Sequence, residues 1–285
     1  MTTPPFAVWY IYTSNGTDGF LLDLIRRPAE AVLRMAVYHA GCSPRLIRQG
    51  FPLADLAGIP GELRAALHGI AFDAQSCHSA YDGVRLDGQF ALSGRAMRFV
   101  PAWASGVFKN VPDFRSYYGT MVRADCESAT YADAPLVYST YSTHALNHLA
   151  SARWVLMTAP RFSGTDLAFE ISATRKFDRW VPAAWVYYAG REFKLNSLSD
   201  TLFARVRIRR AGELEGNERV FAASIRARGL DLDIEGRAPA DQFLLLDSEG
   251  EIKTWTTVFG VCRASIRSGP EKLATERTCL LEIRN

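Results

Sequence analysis

The chain has 285 residues, of which 48% are apolar and 22% charged, and it carries a net charge of +3 at pH 7. That length suffices for one large domain or two smaller ones with a real core, and the balance is that of a globular protein rather than a disordered or fibrous one. The charge is spread along the chain and no apolar run reaches membrane-spanning length, so neither a membrane span nor nucleic-acid binding is expected.

In chain order, residues 6–12 are aromatic and β-prone, and the Ser14-Asn15-Gly16 stretch that follows places asparagine and glycine where a hairpin needs positive φ. Residues 20–25 predict the return strand. Residues 28–41 read two ways: Pro28 and Gly41 bracket good helix formers, yet Leu33, Met35 and Val37 alternate as in a strand. Residues 53–67 hold Pro60 and Gly61 and then Glu62-Leu-Arg-Ala-Ala-Leu67, which predicts a loop and a short helix. Asp82-Gly83 and Asp87-Gly88 mark turns around a short strand, and residues 99–118, rich in Pro, Gly and Tyr, predict an irregular aromatic loop.

The second half alternates more plainly. Residues 154–158, 166–173, 185–188, 202–209, 220–228, 230–235, 244–247, 253–258 and 279–283 have the period of two expected of half-buried strands, with turns at Gly190, at Gly229 and around Gly212 to Asn217. Arg205, Arg207, Arg209 and Arg210 are a basic run whose alternation with Val206 and Ile208 predicts the solvated face of a strand. Many short strands separated by turns predict an all-β, antiparallel architecture with a few short helices.

The cysteines Cys42, Cys77, Cys126, Cys262 and Cys279 are odd in number and irregularly spaced, which predicts buried free thiols rather than a disulfide frame or a zinc site. The opening Met-Thr-Thr-Pro-Pro-Phe has neither the basic nor the apolar region of a signal peptide, so the expected location is cytoplasmic. No phosphate-binding loop, dinucleotide fingerprint, zinc helix or nucleophile elbow occurs, and no cofactor is expected. Isolated acids such as Asp82, Asp125 and Asp133 read as turn residues.

Functional groups concentrate at mid-chain. Residues 139–154 crowd His144, His148, Asn147, Tyr141 and Trp154 between β-like segments, with Tyr138 just before them. His144 and His148 stand four apart, as metal ligands on a helix would, but no cysteine or acidic third ligand lies nearby, so no metal is expected. Two β-rich halves, residues 1–143 and 144–285, are expected to join here.

The order of features, from Val8-Trp9-Tyr10-Ile11-Tyr12 through Phe20-Leu-Leu-Asp-Leu-Ile25, the Asp-Gly hairpin at 81–88, the His/Asn cluster running into Arg153-Trp154, Leu167-Ala-Phe-Glu-Ile171, the Ala-Gly turn at Gly190 and a terminal Leu-Leu-Glu-Ile, resembles the two-domain lipocalin-like family of carotenoid hydratases (hydroxyneurosporene synthases) and, more distantly, lipocalin-like Diels-Alderases. The resemblance implies two consecutive antiparallel lipocalin-like β-barrel domains, a ligand pocket, no metal or organic cofactor, and strand over 31–38. The hydratases carry Tyr-x-Asp-His-Asn-Trp-Gly at mid-chain; here Ala145-Leu146-Asn147-His148-Leu149 matches only at His148. Asn147 stands where the hydratases have an aspartate, and an amide cannot act as a general acid.

The expected activity is therefore a cofactor-independent cyclisation, isomerisation or hydration of a large hydrophobic molecule of polyene or isoprenoid type. The protein would supply shape and hydrogen bonding, with His148, Asn147, His144 and Tyr141 as catalytic groups. Tyr138, Trp154, Trp180, Trp185 and Tyr118 would bind the substrate. The alternative is a carrier that holds a lipophilic ligand without chemistry, and a third reading is an interaction module docking through the loop at 99–118. The expected partner is a hydrophobic small molecule, with the chain a monomer or homodimer.

Overall fold

Asp82 and Gly83 both hold positive φ, 50° and 74°, the conformation that turns β8 (Ser76–Tyr81) tightly into β9 (Val84–Leu92), as the Asp-Gly dipeptide predicts. A computed structural model of the chain describes residues 6–14, 18–39, 41–58, 64–73, 76–92, 97–98, 118–122, 124–131, 134–136, 139–146, 153–159, 167–176, 178–196, 204–249 and 251–285. Those residues are almost entirely β-strand, and their contacts divide the chain into two units, Met1–Leu149 and Ala150–Asn285. Among them no helix is long and apolar enough to cross a membrane.

The first unit has two antiparallel seven-stranded sheets. One contains β1 (Phe6–Ser14), β2 (Asp18–Arg26), β3 (Glu30–His39) and β4 (Arg45–Pro52), extended on the β1 side by β14 (Ser139–Leu146), β11 (Tyr118–Val122) and β10 (Met97–Arg98). The other runs from β5 (Ala57–Gly58), β6 (Ala65–Leu67) and β7 (Ile70–Phe72) through β8 and β9 to β12 (Ala124–Tyr131) and β13 (Ala134–Leu136). Trp9, Ile11, Phe20, Leu22, Leu24, Leu33 and Met35 of the first sheet share a buried core with Leu67, Ile70, Phe72, Cys77, Val84 and Leu86 of the second.

Residues 31–38 are strand, which settles their double reading: β3 pairs with β2 along its length, and this pairing outweighs the helical propensity of its alanines and leucines. The short helix expected over 62–67 is not formed where the chain is described. Ala65–Leu67 is a strand whose residues pair with β7, because burying Ala65 and Leu67 on one side satisfies the period of two. The only helical turns among the described residues are short 3₁₀ segments at Leu53–Asp55 and Ala240–Gln242. Tyr118 likewise begins a strand rather than closing a loop; residues 99–117 lie outside the described set.

The second unit is one antiparallel ten-stranded sheet. Its order runs β18 (Arg191–Asn196), β17 (Arg179–Tyr188), β16 (Leu167–Lys176), β15 (Trp154–Ala159), β24 (Glu271–Arg284), β23 (Ile252–Ser268), β21 (Leu230–Pro239), β20 (Glu218–Ala227), β19 (Ala204–Glu215), with β22 (Leu244–Glu249) paired to β23. β19 returns against β17, so the sheet nearly closes into a barrel. Phe169, Ile171, Val186, Phe221, Ile225, Leu232, Ile234 and Leu281 fill its inner side. Several strands outrun the sequence expectation. β19 continues through Gly212 to Glu215, a stretch read as a turn, because two β-bulges let it keep pairing with β20.

Three of the described cysteines, Cys77, Cys262 and Cys279, are buried and outside any disulfide as expected, whereas Cys42 is exposed, lying in the turn after β3 where no sheet covers it. Asp82 is a turn residue, paired to Arg45 at 2.6 Å.

Candidate functional site

The three strands β1, β2 and β3 are buried on both faces, which is why residues 20–25 read as a nearly unbroken apolar run. One face joins the core just described. The alternate residues Tyr10, Tyr12, Leu21, Asp23, Ile25, Val32, Ala36 and Tyr38 form a second buried face. Into this apolar surface the sequence sets a carboxylate and a guanidinium directly opposite each other on β2 and β3. Arg34 donates from Nε to Asp23 Oδ2 at 2.6 Å, with Nη2 2.5 Å from the same oxygen. Asp23 is 3% exposed. Tyr10 stands opposite Asp23 on the other side, so a hydroxyl-bearing ring, a carboxyl and a guanidinium occupy one row across three strands.

Burial raises the Asp23 carboxyl above its ordinary value of 3.8, and the neighbouring Arg34 charge only partly offsets this. The folded state thus holds the Asp23 proton more tightly than the unfolded chain does. The carboxyl favours the fold below pH 3.8, and that advantage is lost as the pH rises through its raised folded value. Asp23→Asn has no proton to lose, so its stability should gain on the parent's as the pH climbs above 3.8. Urea-derived stabilities falling in parallel with pH for both proteins would refute a buried titrating carboxyl here.

β14, which carries part of the mid-chain cluster, lies beside β1. His144 pairs with Val8, Ser142 with Tyr10 and Tyr141 with Ile11, so His144 stands two places along β14 from the Tyr10 row. Tyr118 on β11 pairs with Ala145 on β14. The fold thus sets His144 in the row of Val8 and Ile25, two along from that of Tyr10 and Asp23, whereas Tyr141 falls in the row of Ile11 and Leu22, which belong to the core face, and Tyr118 lies one strand further out on β11. Asn147, His148 and Tyr138 lie outside the described residues.

The three tryptophans sit in the second unit and do not share one wall. Trp180 packs against the barrel core, whereas Trp154 and Trp185 alternate with core residues and occupy the opposite face. That outer face is also buried and polar. Trp154 Nε1 donates to Glu282 at 2.6 Å, the Arg284 guanidinium lies 4.9 Å from the Trp154 ring centre, and Arg284 donates to Thr254 at 2.9 Å. Trp185 stands opposite the buried Glu170, itself opposite Thr158.

Among the described residues no group of three or more His, Cys, Asp or Glu side chains is placed to hold a metal. His39, His68 and His78 each pair instead with one surface carboxylate, Asp18 at 2.5 Å, Asp55 at 2.7 Å and Asp87 at 2.5 Å. Hydrogen bonds from Arg85, and secondarily from His78, hold the Asp87 carboxyl below its usual range.

Asp23 and Arg34 escaped the reading of the sequence, although a signal was there. Each is the lone charge inside an otherwise apolar β-stretch, Phe20-Leu-Leu-Asp-Leu-Ile25 and Ala31-Val-Leu-Arg-Met-Ala-Val37, at positions that their strand neighbours reserve for buried side chains.

No known family of sequences matches the chain, and no curated protein matches it. Solved structures do. A Nitrosomonas europaea protein put forward as an AttH superposes with a TM-score of 0.58 at 13% identity, covering 99% of this chain and 93% of its own. CghA solved with Sch210972 superposes with a TM-score of 0.59 at 10% identity over 99% of this chain and 88% of its own. CghA alone gives the same score at 8% identity. The fold is lipocalin-like. At such identities the likeness is one of fold alone.

Proposed function

We propose that this lipocalin-like chain is a cofactor-independent enzyme that cyclises, isomerises or hydrates a large hydrophobic small molecule of polyene or isoprenoid type. The observation that carries the reading is the Asp23–Arg34 pair, set with Tyr10 into a buried apolar face, with His144 of β14 in the row of Val8 and Ile25 beside it. Ion pairs add little stability when buried, so their placement amid apolar side chains is better accounted for by chemistry than by folding. A carboxyl raised by burial is suited to hand over or accept a proton, and an adjoining guanidinium to polarise a carbonyl as charge develops.

In this reading His148, Asn147 and His144 join Asp23 and Arg34 as catalytic groups, while Tyr141, in the row of Ile11 and Leu22, is not among them. Tyr138 and Tyr118 bind the substrate, whereas Trp154, Trp180 and Trp185, divided between the two faces of the second unit's sheet, are left out of this site. Residues 1–149 and 150–285 are the two domains, with the boundary just beyond β14. Buried cysteines outside any disulfide, Cys77, Cys262 and Cys279, favour a reducing, cytoplasmic setting. CghA, of the same fold, was crystallised with Sch210972, which supports a ligand-holding role.

The test is incubation of the pure protein with a panel of polyenes. A product of altered connectivity or added water is expected, and Asp23→Asn and His148→Ala should bind the substrate with the parent's affinity while turnover falls about 100-fold or more. Saturable binding with the polyene recovered unchanged would make the chain a carrier, and turnover unaffected by either substitution would remove these residues from the mechanism.

A further inference from the structure

We propose that one end of the C-terminal barrel is a docking surface for an anionic lipid bilayer. The register gathers cations there that are far apart in sequence. β19 begins at Ala204, opposite Ala227 at the end of β20, which pairs in turn with Leu230 at the start of β21. The next row across the sheet reads Arg205, Arg226, Asp231, Arg267, Lys272, each opposite the next and all exposed. Arg228 lies in the turn between β20 and β21. Arg191 comes to the same turn, its guanidinium 3.2 Å from where a side chain on Gly229 would begin. Ser268 donates to the Gly229 carbonyl at 2.9 Å, tying this turn to the one at Gly269.

Six cations therefore meet one acid, Asp231, among the described side chains of this rim. Arg226 reaches Asp231 at 3.9 Å and Asp233 at 2.6 Å, but Arg205, Arg228, Arg267 and Lys272 form no ion pair with any described residue. Further along the same strands the charges balance: Arg209 pairs with Asp233 at 3.8 Å, Arg237 with Glu235 at 2.8 Å and Arg263 with Glu276 at 2.6 Å. Arg205 stands directly opposite Arg226, whose guanidinium is already held by Asp233 and Asp231, so Arg205 has no acid across the strand pair. The chain's modest net charge hides this field because it is confined to one end.

Phosphate headgroups match such a rim of separate, flexible cations. A single-stranded nucleic acid would need open aromatic faces for its bases, whereas Tyr188, opposite Arg191, is buried and the Phe193 ring is covered by the Arg191 guanidinium at 5.0 Å. The choice of a bilayer also rests on the proposed lipophilic substrate, which would partition into one.

Vesicle sedimentation of the full chain tests this, with phosphatidylcholine alone and with about one-third phosphatidylglycerol, at low and high salt. Binding should require phosphatidylglycerol and fade with salt. Arg205→Glu/Arg228→Glu/Lys272→Glu should weaken it at least about tenfold, since each cation near an anionic surface adds roughly fivefold. Arg45→Glu/Arg64→Glu/Arg85→Glu, with the same change in net charge elsewhere, should keep most of it. Should the reversal unfold the chain by urea titration, Arg205→Gln/Arg228→Gln/Lys272→Gln serves in its place. The proposal is overturned by binding to neutral vesicles as strong as to anionic ones, by equal losses in the two triple variants, by no binding at low salt, or by tighter binding to duplex DNA than to anionic vesicles. Quenching of tryptophan fluorescence by polyenes in vesicle-free solution reports on the substrate reading separately, and its failure leaves a charge-driven vesicle result standing.

Discussion

Arg34→Met, with Asp23 left in place, should lower the unfolding free energy by about 3–5 kcal/mol, whereas Asp23→Leu/Arg34→Met should return to the parent's stability or exceed it by about 1–4 kcal/mol. The asymmetry follows from what each change leaves behind. The single substitution strands a carboxyl that is 3% exposed among Leu21, Ile25, Val32 and Ala36 on the second face of the sheet. The double substitution removes both desolvated groups and replaces them with side chains suited to that face. The penalty of the single variant should shrink in acid, because a stranded carboxyl, already raised by burial, escapes its charge by taking up a proton. Urea midpoints with slopes checked for constancy measure all three proteins. A single-variant loss below about 1 kcal/mol would mean that water reaches the pair as it does a surface salt bridge. If the pair serves chemistry, the double variant should be well folded yet inert toward the polyene panel.

Gly212→Ala should destabilise the second unit by about 2–5 kcal/mol, combining a left-handed backbone (about 1–2) with overpacking (about 1–3). Gly212 occupies the second bulge of β19 with φ of 82°, and a Cβ there would lie 2.6 Å from Ile283 Cδ1 and 3.0 Å from Phe221 Cζ, both core side chains of the barrel. Neither can retreat without disturbing its packed neighbours. Gly216, four residues on with φ of 61°, has nothing within 4 Å of its would-be Cβ, so Gly216→Ala should cost only the backbone share, about 1–2 kcal/mol. Thermal or urea unfolding of both variants provides the comparison, and equal losses would show that the barrel wall yields at Gly212.

The strand alternation of residues 167–173 and 230–235, the Asp82-Gly83 turn and the solvated arginines of β19 were legible because each depends on near neighbours: a period of two, a dipeptide with positive φ, a polar residue at every second position. Residues 31–38 and 62–67 were not settled that way. Both carry helix formers, and only pairing with a neighbouring strand, contributed by residues distant in the chain, selects the extended form. The same applies to length: β19, β23 and β24 run far past their predicted ends because bulges, invisible in local pattern, preserve their registers.

By itself the sequence determined an antiparallel all-β chain, since alternating burial and turn chemistry are written residue by residue. Which faces are buried twice, and so which charges are desolvated, was decided by the tertiary structure alone, because a face is covered by parts of the chain remote from it. Asp23 and Arg34 became a pair, and Arg205, Arg228, Arg267 and Lys272 a rim, only when strand register placed side by side groups that the sequence keeps apart.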